Sequence, residues 1–197
     1  MRFYRWTANS EGNSSVDHLR IRGWKDDLDL AQRLMEGRPL RPEEWVQEAP
    51  ADWSEDGPLT DMPFDPSFHI HSPRLKALLE GLGLGPDIQY LPIRIRGEKS
   101  GREVGIYYVA NYLRRIPCLD LEHSIGVEFF SPDWIRPEQR GQIAGVWKAA
   151  LRKEAISDAR IFRVDEWKYI VAVREDVKQA IEEAGITGCY FLELEVI

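Results

Sequence analysis

A chain of 197 residues that is 43% hydrophobic, with 33 acidic and 26 basic side chains and a formal net charge of −7, has the make-up of one folded domain, or one domain with a small appendage, and not of a disordered chain. Its apolar runs fall far short of the roughly 20 residues that cross a bilayer, so no membrane partner is expected. The N-terminal MRFYRWTANSEGNSS has no apolar stretch of a signal peptide and points to the cytoplasm, and Cys118 and Cys189, without CxxC or Cys/His spacing, are expected as buried thiols.

In chain order, FYRW at 3–6 alternates and reads as an edge strand. Over 26–36, Leu28, Leu30, Leu34 and Met35 recur among polar residues ahead of Gly37 and Pro39, which predicts a short helix. The charge is then concentrated. Between residues 41 and 65 eight acids (Glu43, Glu44, Glu48, Asp52, Glu55, Asp56, Asp61, Asp65) stand against one base, Arg41, so the −7 of the whole chain sits here and the remainder is neutral. Pro42, Pro50, Pro58 and Pro63 in the same stretch, with Pro66 just beyond, break helices and suit central strands poorly, so an extended loop is expected, with at most a short helix near 43–47. Two readings stay open. The segment is a solvated loop whose Trp45 and Trp53 tuck back onto a core, or it is a docking surface in which Glu43, Glu44, Trp45, Asp52, Trp53, Glu55, Asp56 and Asp61 meet a basic protein partner. Either way it lacks the basic footprint that nucleic acid requires.

Residues 68–71 alternate as a short strand, Ser72 can cap a helix whose first position is Pro73, and Leu75, Leu78, Leu79 and Leu82 share one face before Gly83 and Gly85. A further strand spans 88–96. The block recurs 102 residues later: FHIHSPRLKALLEGLGL aligns with IVAVREDVKQAIEEAGI, pairing Lys76 with Lys178, Glu80 with Glu182 and Gly83 with Gly185. Between the copies, VGIYYVAN and IFRVDEWKYIVAV are strand-like, with a turn at Asp165 and Glu166; GQIAGVWKAALRKEAI stays ambiguous between helix and strand. The expected architecture is an α+β domain over 67–197, with two β-α-β units at about 68–96 and 169–197 and antiparallel strands between them, preceded by an N-terminal segment over 1–66.

The search for reaction chemistry finds little. Gly81, Gly83 and Gly85 follow a helix and precede a strand, the reverse of a phosphate-binding loop. His69 and His71 fall on one face of a strand, and Asp120, Glu122 and His123 cluster elsewhere; together they suggest a metal or acid-base site, against the plainer reading of half-buried hydrogen-bonding histidines. No GxSxG elbow is present, and Ser124 merely follows His123. Neither a catalytic residue nor a cofactor or metal is expected. Trp134, Trp147 and Trp167 are expected as core or rim residues, leaving Trp45 and Trp53 as the aromatic candidates for an interface.

The runs HSPRLKALLEGLGLGPDIQYLPIRI, YYVANYLRRIPCLDLEHS and IFRVDEWKYIVAVREDVKQAIEEAGITGCYFLEL carry a likeness to a known family. Ser72 before an amphipathic helix, Pro92 in the next strand, Cys118, Asp120, Glu122 and Ser124, the strand start Phe162-Arg163, and the closing Gly185, Ile186, Thr187 and Gly188 follow its pattern. From about 68 to 196 the chain resembles a bacterial family first catalogued as a domain of unknown function and later assigned to the immunity proteins of polymorphic toxin systems, named after a myxobacterial member. The resemblance implies a cytoplasmic protein that binds and neutralises a cognate toxin, encoded nearby, by stoichiometric occlusion without catalysis. The acidic segment suits a basic toxin, for which a nuclease is one candidate. A self-associating scaffold or regulatory module, and a metal-dependent enzyme built on His69 and His71, are the alternatives.

Overall fold

The computed structural model describes residues 1–8, 19–22, 28–55, 57–65 and 68–197. Along the chain run β1 (Phe3–Ala8), β2 (Leu19–Ile21), α1 (Leu28–Met35), β3 (Ala49–Trp53), β4 (Ile70–His71), α2 (Pro73–Gly81), β5 (Ile88–Gly97), β6 (Glu103–Tyr112), β7 (Arg115–Ile116), β8 (Leu119–Phe129), β9 (Ile143–Leu151), β10 (Ile161–Val164), β11 (Val171–Arg174), α3 (Glu175–Glu183) and β12 (Cys189–Val196). Among the described residues the strands form two mixed sheets, one ordered β7-β10-β11-β1-β12-β9-β8 and the other β2-β3-β5-β6-β4. The fold is α+β.

Local chemistry explains the two longer helices. Ser72 Oγ accepts the Leu75 N–H at 3.1 Å and Pro73 opens α2, so the first turn is capped and preset. At the far end Leu84 N–H donates to Leu79 at 3.0 Å and Gly83 N–H to Glu80 at 2.9 Å, a cap that puts Gly83 at φ +78. The same pair closes α3 102 positions on: Ile186 to Ile181 at 3.2 Å and Gly185 to Glu182 at 2.9 Å, with Gly185 at φ +62. Lys76 reaches Glu80 at 2.7 Å over the Tyr90 ring, and Lys178 reaches Glu182 at 2.7 Å over the Tyr4 ring.

The sequence repeat is therefore a structural one, with an addition that the sequence hides. β6 lies antiparallel between β4 and β5, and β1 lies antiparallel between β11 and β12. Each unit is thus a β-α-β pair split by a third strand. The first unit draws its middle strand from the residues that follow it, the second from the start of the chain. FYRW is accordingly a central strand and not an edge. Phe3 faces Phe162 at 5.7 Å on one side of the sheet, while Trp6 stacks on Phe191 at 6.3 Å on the other. A strand buried on both faces loses the clean alternation by which strands are read.

Three apolar clusters hold the structure. One draws on both sheets and both repeat helices, through Tyr4, Trp6, Leu75, Leu79, Tyr112, Val177 and Ile181. A second covers the opposite face of the larger sheet, and a third lies between α1 and the odd-numbered residues Leu91, Ile93 and Ile95 of β5. Arginines distant in sequence also cap the ends of both helices. Arg74, at the start of α2, donates to the carbonyls of Ala184 and Gly185 after α3, and Arg160 donates to Leu82 at the end of α2 at 2.6 Å.

Two further segments differ from expectation. Residues 49–53, read as loop, form β3 inside the smaller sheet; Pro50 is exposed there, and its carbonyl still accepts the Arg22 N–H at 2.8 Å. The ambiguous GQIAGVWKAALRKEAI resolves into strand β9, whose Ala149, Ala150 and Leu151 are buried where small side chains fit.

Candidate functional site

The acids of 41–65 are drawn into the fold one by one, mostly by basic residues from elsewhere in the chain. Glu44 accepts the Arg41 N–H at 2.7 Å and pairs with Arg33 at 3.0 Å; the Arg41 N–H and side chain hold its carboxyl below the usual carboxylate range. Asp52, 7% exposed, lies between Arg22 and Arg96, the latter at 2.9 Å. Burial pushes its pKa up, and the two guanidinium groups more than offset this, leaving it lowered. Glu55 accepts the backbone N–H groups of Lys99 and Ser100, each at 2.7 Å, and so ties the end of β3 to the β5–β6 turn; those bonds, Ser100 foremost, lower its pKa. Glu48 pairs with Arg94. Glu43 makes only a 3.4 Å contact with Arg41 and stays exposed. Asp56 lies outside the described residues. Trp45 and Trp53 are partly buried against the third cluster, beside Leu59 and Phe68.

Asp61 is the most heavily used of these acids. Its carboxylate accepts Ser72 Oγ at 2.7 Å, Thr187 N–H at 3.0 Å, Thr187 Oγ at 3.1 Å and Arg74 at 3.2 Å, joining the segment to the start of α2 and the turn after α3. Burial raises its pKa and these hydrogen bonds lower it further than burial raises it, so the net shift is downward. Asp61→Ala is expected to cost about 3 kcal/mol, because it strands several polar partners at once. In a protein of this size that lowers the thermal midpoint by roughly 6–12 °C, measurable by calorimetry. The sign with pH follows from the depressed folded-state pKa: the stabilisation is present above about pH 4 and lost as pH falls through the folded value. The gap between wild type and variant should therefore narrow in acid.

The groups considered for catalysis are also engaged in structure. His69 Nδ1 lies 2.8 Å and His71 Nε2 3.1 Å from Tyr112 Oη, with Trp6 packed at 5.9 and 5.1 Å from the two imidazoles. Desolvation pushes His69 well below its ordinary value, with His71 adding to the effect, and takes His71 to about 3. Both rings are neutral at pH 7. Asp120 does not join them: its carboxylate accepts the N–H groups of Glu122 at 3.0 Å and His123 at 3.1 Å, while Ser124 Oγ accepts the Ala150 N–H at 3.0 Å, so this cluster shapes an irregularity in β8. Among the described residues no three His, Cys, Asp or Glu side chains gather as a metal would need. Burial takes the thiols of Cys118 and Cys189 up to about 12, which keeps them protonated and poor nucleophiles.

The tryptophan expectations are in part reversed. Trp167 packs against the second cluster, as a core or rim residue should. Trp147, expected in the same class, is 86% exposed on β9, and Trp134 is 40% exposed in the β8–β9 loop. Ile135 at 85%, Phe129 at 54% and Ile125 at 53% belong to the same hairpin, a concentration of exposed apolar side chains that sequence reasoning missed. The available signal was a tryptophan in a strand otherwise built from small residues, in GVWKAA.

No helix among the described residues is long and apolar enough to cross a membrane. Among curated proteins none is matched by this chain. A family comparison is positive, and it reaches well beyond the two thirds of the chain that carried the resemblance: it takes in β1 and the acidic segment as well. The pattern of the Immunity protein family (Imm11) matches residues 2–196, and the chain belongs to that family.

Proposed function

We propose that this protein acts by binding a cognate bacterial toxin in a stoichiometric complex that occludes it, without catalysing a reaction. The observation that carries this reading is the family match across residues 2–196. It is supported by the engagement of His69, His71 and Asp120 in structural hydrogen bonds, which leaves them no evident task in a reaction. The toxin is a basic protein encoded beside this gene, and the complex forms in the cytoplasm. The acidic segment contributes to steering through the charge that the fold does not consume, chiefly at Glu43. Asp52, Glu55 and Asp61 are poor sites for a charge-reversal test, since lysine there would break the fold before it reported on binding.

The test is co-expression of the adjacent toxin gene with and without this chain, together with calorimetry on the purified pair. Rescue of growth and a one-to-one complex are expected. Failure of both would remove the reading. Glu43→Lys is expected to slow association a few-fold at low salt, with the difference disappearing at high salt, as for a steering charge at a rim. An unchanged rate at low salt would take the acidic segment out of the account.

A further inference from the structure

We propose that the β8–β9 hairpin is the surface that seats in the toxin, as an apolar ridge with an acidic rim entering an apolar cleft bordered by basic side chains. This rests on the toxin-binding reading above and adds the place and chemistry of contact. Of the large hydrophobic side chains that stand exposed among the described residues, half belong to this hairpin: Leu121, Ile125, Phe129, Trp134, Ile135 and Trp147. Isolated exposed hydrophobics are ordinary on any surface; six on one hairpin, three of them aromatic, are what interfaces show, and the register sets Trp147 beside Gly126 on the face opposite Ile125, so both faces of the ridge carry an apolar side chain.

The ridge is held in shape before any partner arrives. The loop after β8 closes on itself, with Phe130 N–H donating to Gln142 at 2.9 Å and Gly141 N–H to Phe130 at 3.1 Å. Within it Trp134 packs on Phe130 at 5.0 Å, donates from Nε1 to Gln139 at 3.0 Å, and accepts Arg140 Nε on its carbonyl at 2.9 Å. Trp147 lies against the bare backbone of Gly126, where even one added carbon would come within 2.9 Å of its Cβ. Ordering a surface in advance lowers the entropic cost of association.

Two observations point to a basic partner and away from a second copy of the chain. β8 is an edge strand, but the irregularity that Asp120 and Ser124 maintain between Asp120 and Ile125 interrupts the ladder along which another strand would add. The charge around the ridge is also mainly acidic. Glu122, Glu128, Asp133 and Glu138 have no ion-pair partner among the described residues; Lys148 is paired with Glu195 at 2.8 Å, which leaves Arg136 and Arg140, the latter bound to the neutral carbonyl of Trp134, as the cations of the hairpin without an ion pair among the described residues. A second copy would set this acidic rim against itself. A basic protein would complement it.

The experiment uses the full chain, the double variant I135S/W147S and the purified product of the adjacent toxin gene. Both replaced side chains are more than four-fifths exposed, so the thermal midpoint of the variant should match that of wild type. Wild type is expected to bind the toxin, and I135S/W147S to bind it at least about 100-fold more weakly, as when two central anchors are lost. E122K/E128K should slow association at low salt. Equal affinity of wild type and I135S/W147S overturns the hairpin as the docking surface and leaves the toxin-binding reading standing. Absence of a complex with wild type defeats that reading, and this one with it. A wild-type dimer that I135S/W147S converts to monomer in sedimentation makes a second copy the occupant, and overturns toxin docking here.

Discussion

Deletion of residues 1–8 is expected to abolish cooperative folding. The deletion removes β1, the strand that joins β11 to β12 through a ladder on each side. It also takes away Phe3, Tyr4, Trp6 and Ala8, all buried, from two of the three apolar clusters. Truncating one buried Trp or Phe typically costs about 3–5 kcal/mol, and a domain holds only about 5–15 kcal/mol in all. Losing these side chains together with two ladders of main-chain bonds exceeds that reserve. The fragment 67–197, which lacks β1, α1 and β3 alike, should fare no better. The measurement is a thermal or urea transition followed by near-ultraviolet circular dichroism. A cooperative transition in the deleted chain, with a midpoint within a few degrees of wild type, would show that the larger sheet closes without its middle strand.

A second large effect is expected in mild acid. His69 and His71 are buried and neutral, and the positive groups nearest His69, Arg163 and Arg5, oppose its protonation as desolvation does. In the unfolded chain both histidines titrate near pH 6.5. Between that value and the folded-state value, about 3 for His71, the unfolded state binds more protons, so stability must fall as pH falls. At about 1.4 kcal/mol per pKa unit, His71 alone accounts for a loss on the order of 5 kcal/mol across the window. Urea midpoints at pH 7.5, 6.5, 5.5 and 4.5 should decline well before the carboxylates begin to titrate. In H69F/H71F the decline should start at least a unit lower in pH, even though Tyr112 loses its partners and the variant is weaker at pH 7.5. A wild-type midpoint that stays constant from pH 7.5 to 5 would contradict the buried neutral pair.

How much of this was readable beforehand depends on distance along the chain. The caps of α2 and α3 are built within a few residues of each helix, and Ser72, Gly83 and Gly185 announced them. The partners of Asp61 and Asp52 could not be read in the same way, because Thr187 lies 126 positions away and Arg96 lies 44 away. That separation is also why an apparently unbalanced acidic segment turns out to be largely neutralised by arginines of the rest of the fold. The tryptophans misled for a related reason. Trp45 and Trp53 are flanked by acids and prolines in sequence, but those neighbours turn outward or pair while the indoles turn in. Trp147 sits among small residues that suit burial, but it points to the face of β9 opposite Val146, which packs on the second cluster.

The borrowed middle strand has a consequence for how the protein is made. β1 leaves the ribosome well before its two neighbours, which are encoded at 171–174 and 189–196. At synthesis rates of about 5–20 residues per second, Phe3, Tyr4 and Trp6 wait roughly 10–40 s for the strands that cover them. During that interval the first unit, whose middle strand follows it directly, has all its strands, while β1 still lacks both of its partners. Protection is complete only when β12 follows β11, so a chain stalled between the two leaves its middle strand with one of its two partners missing.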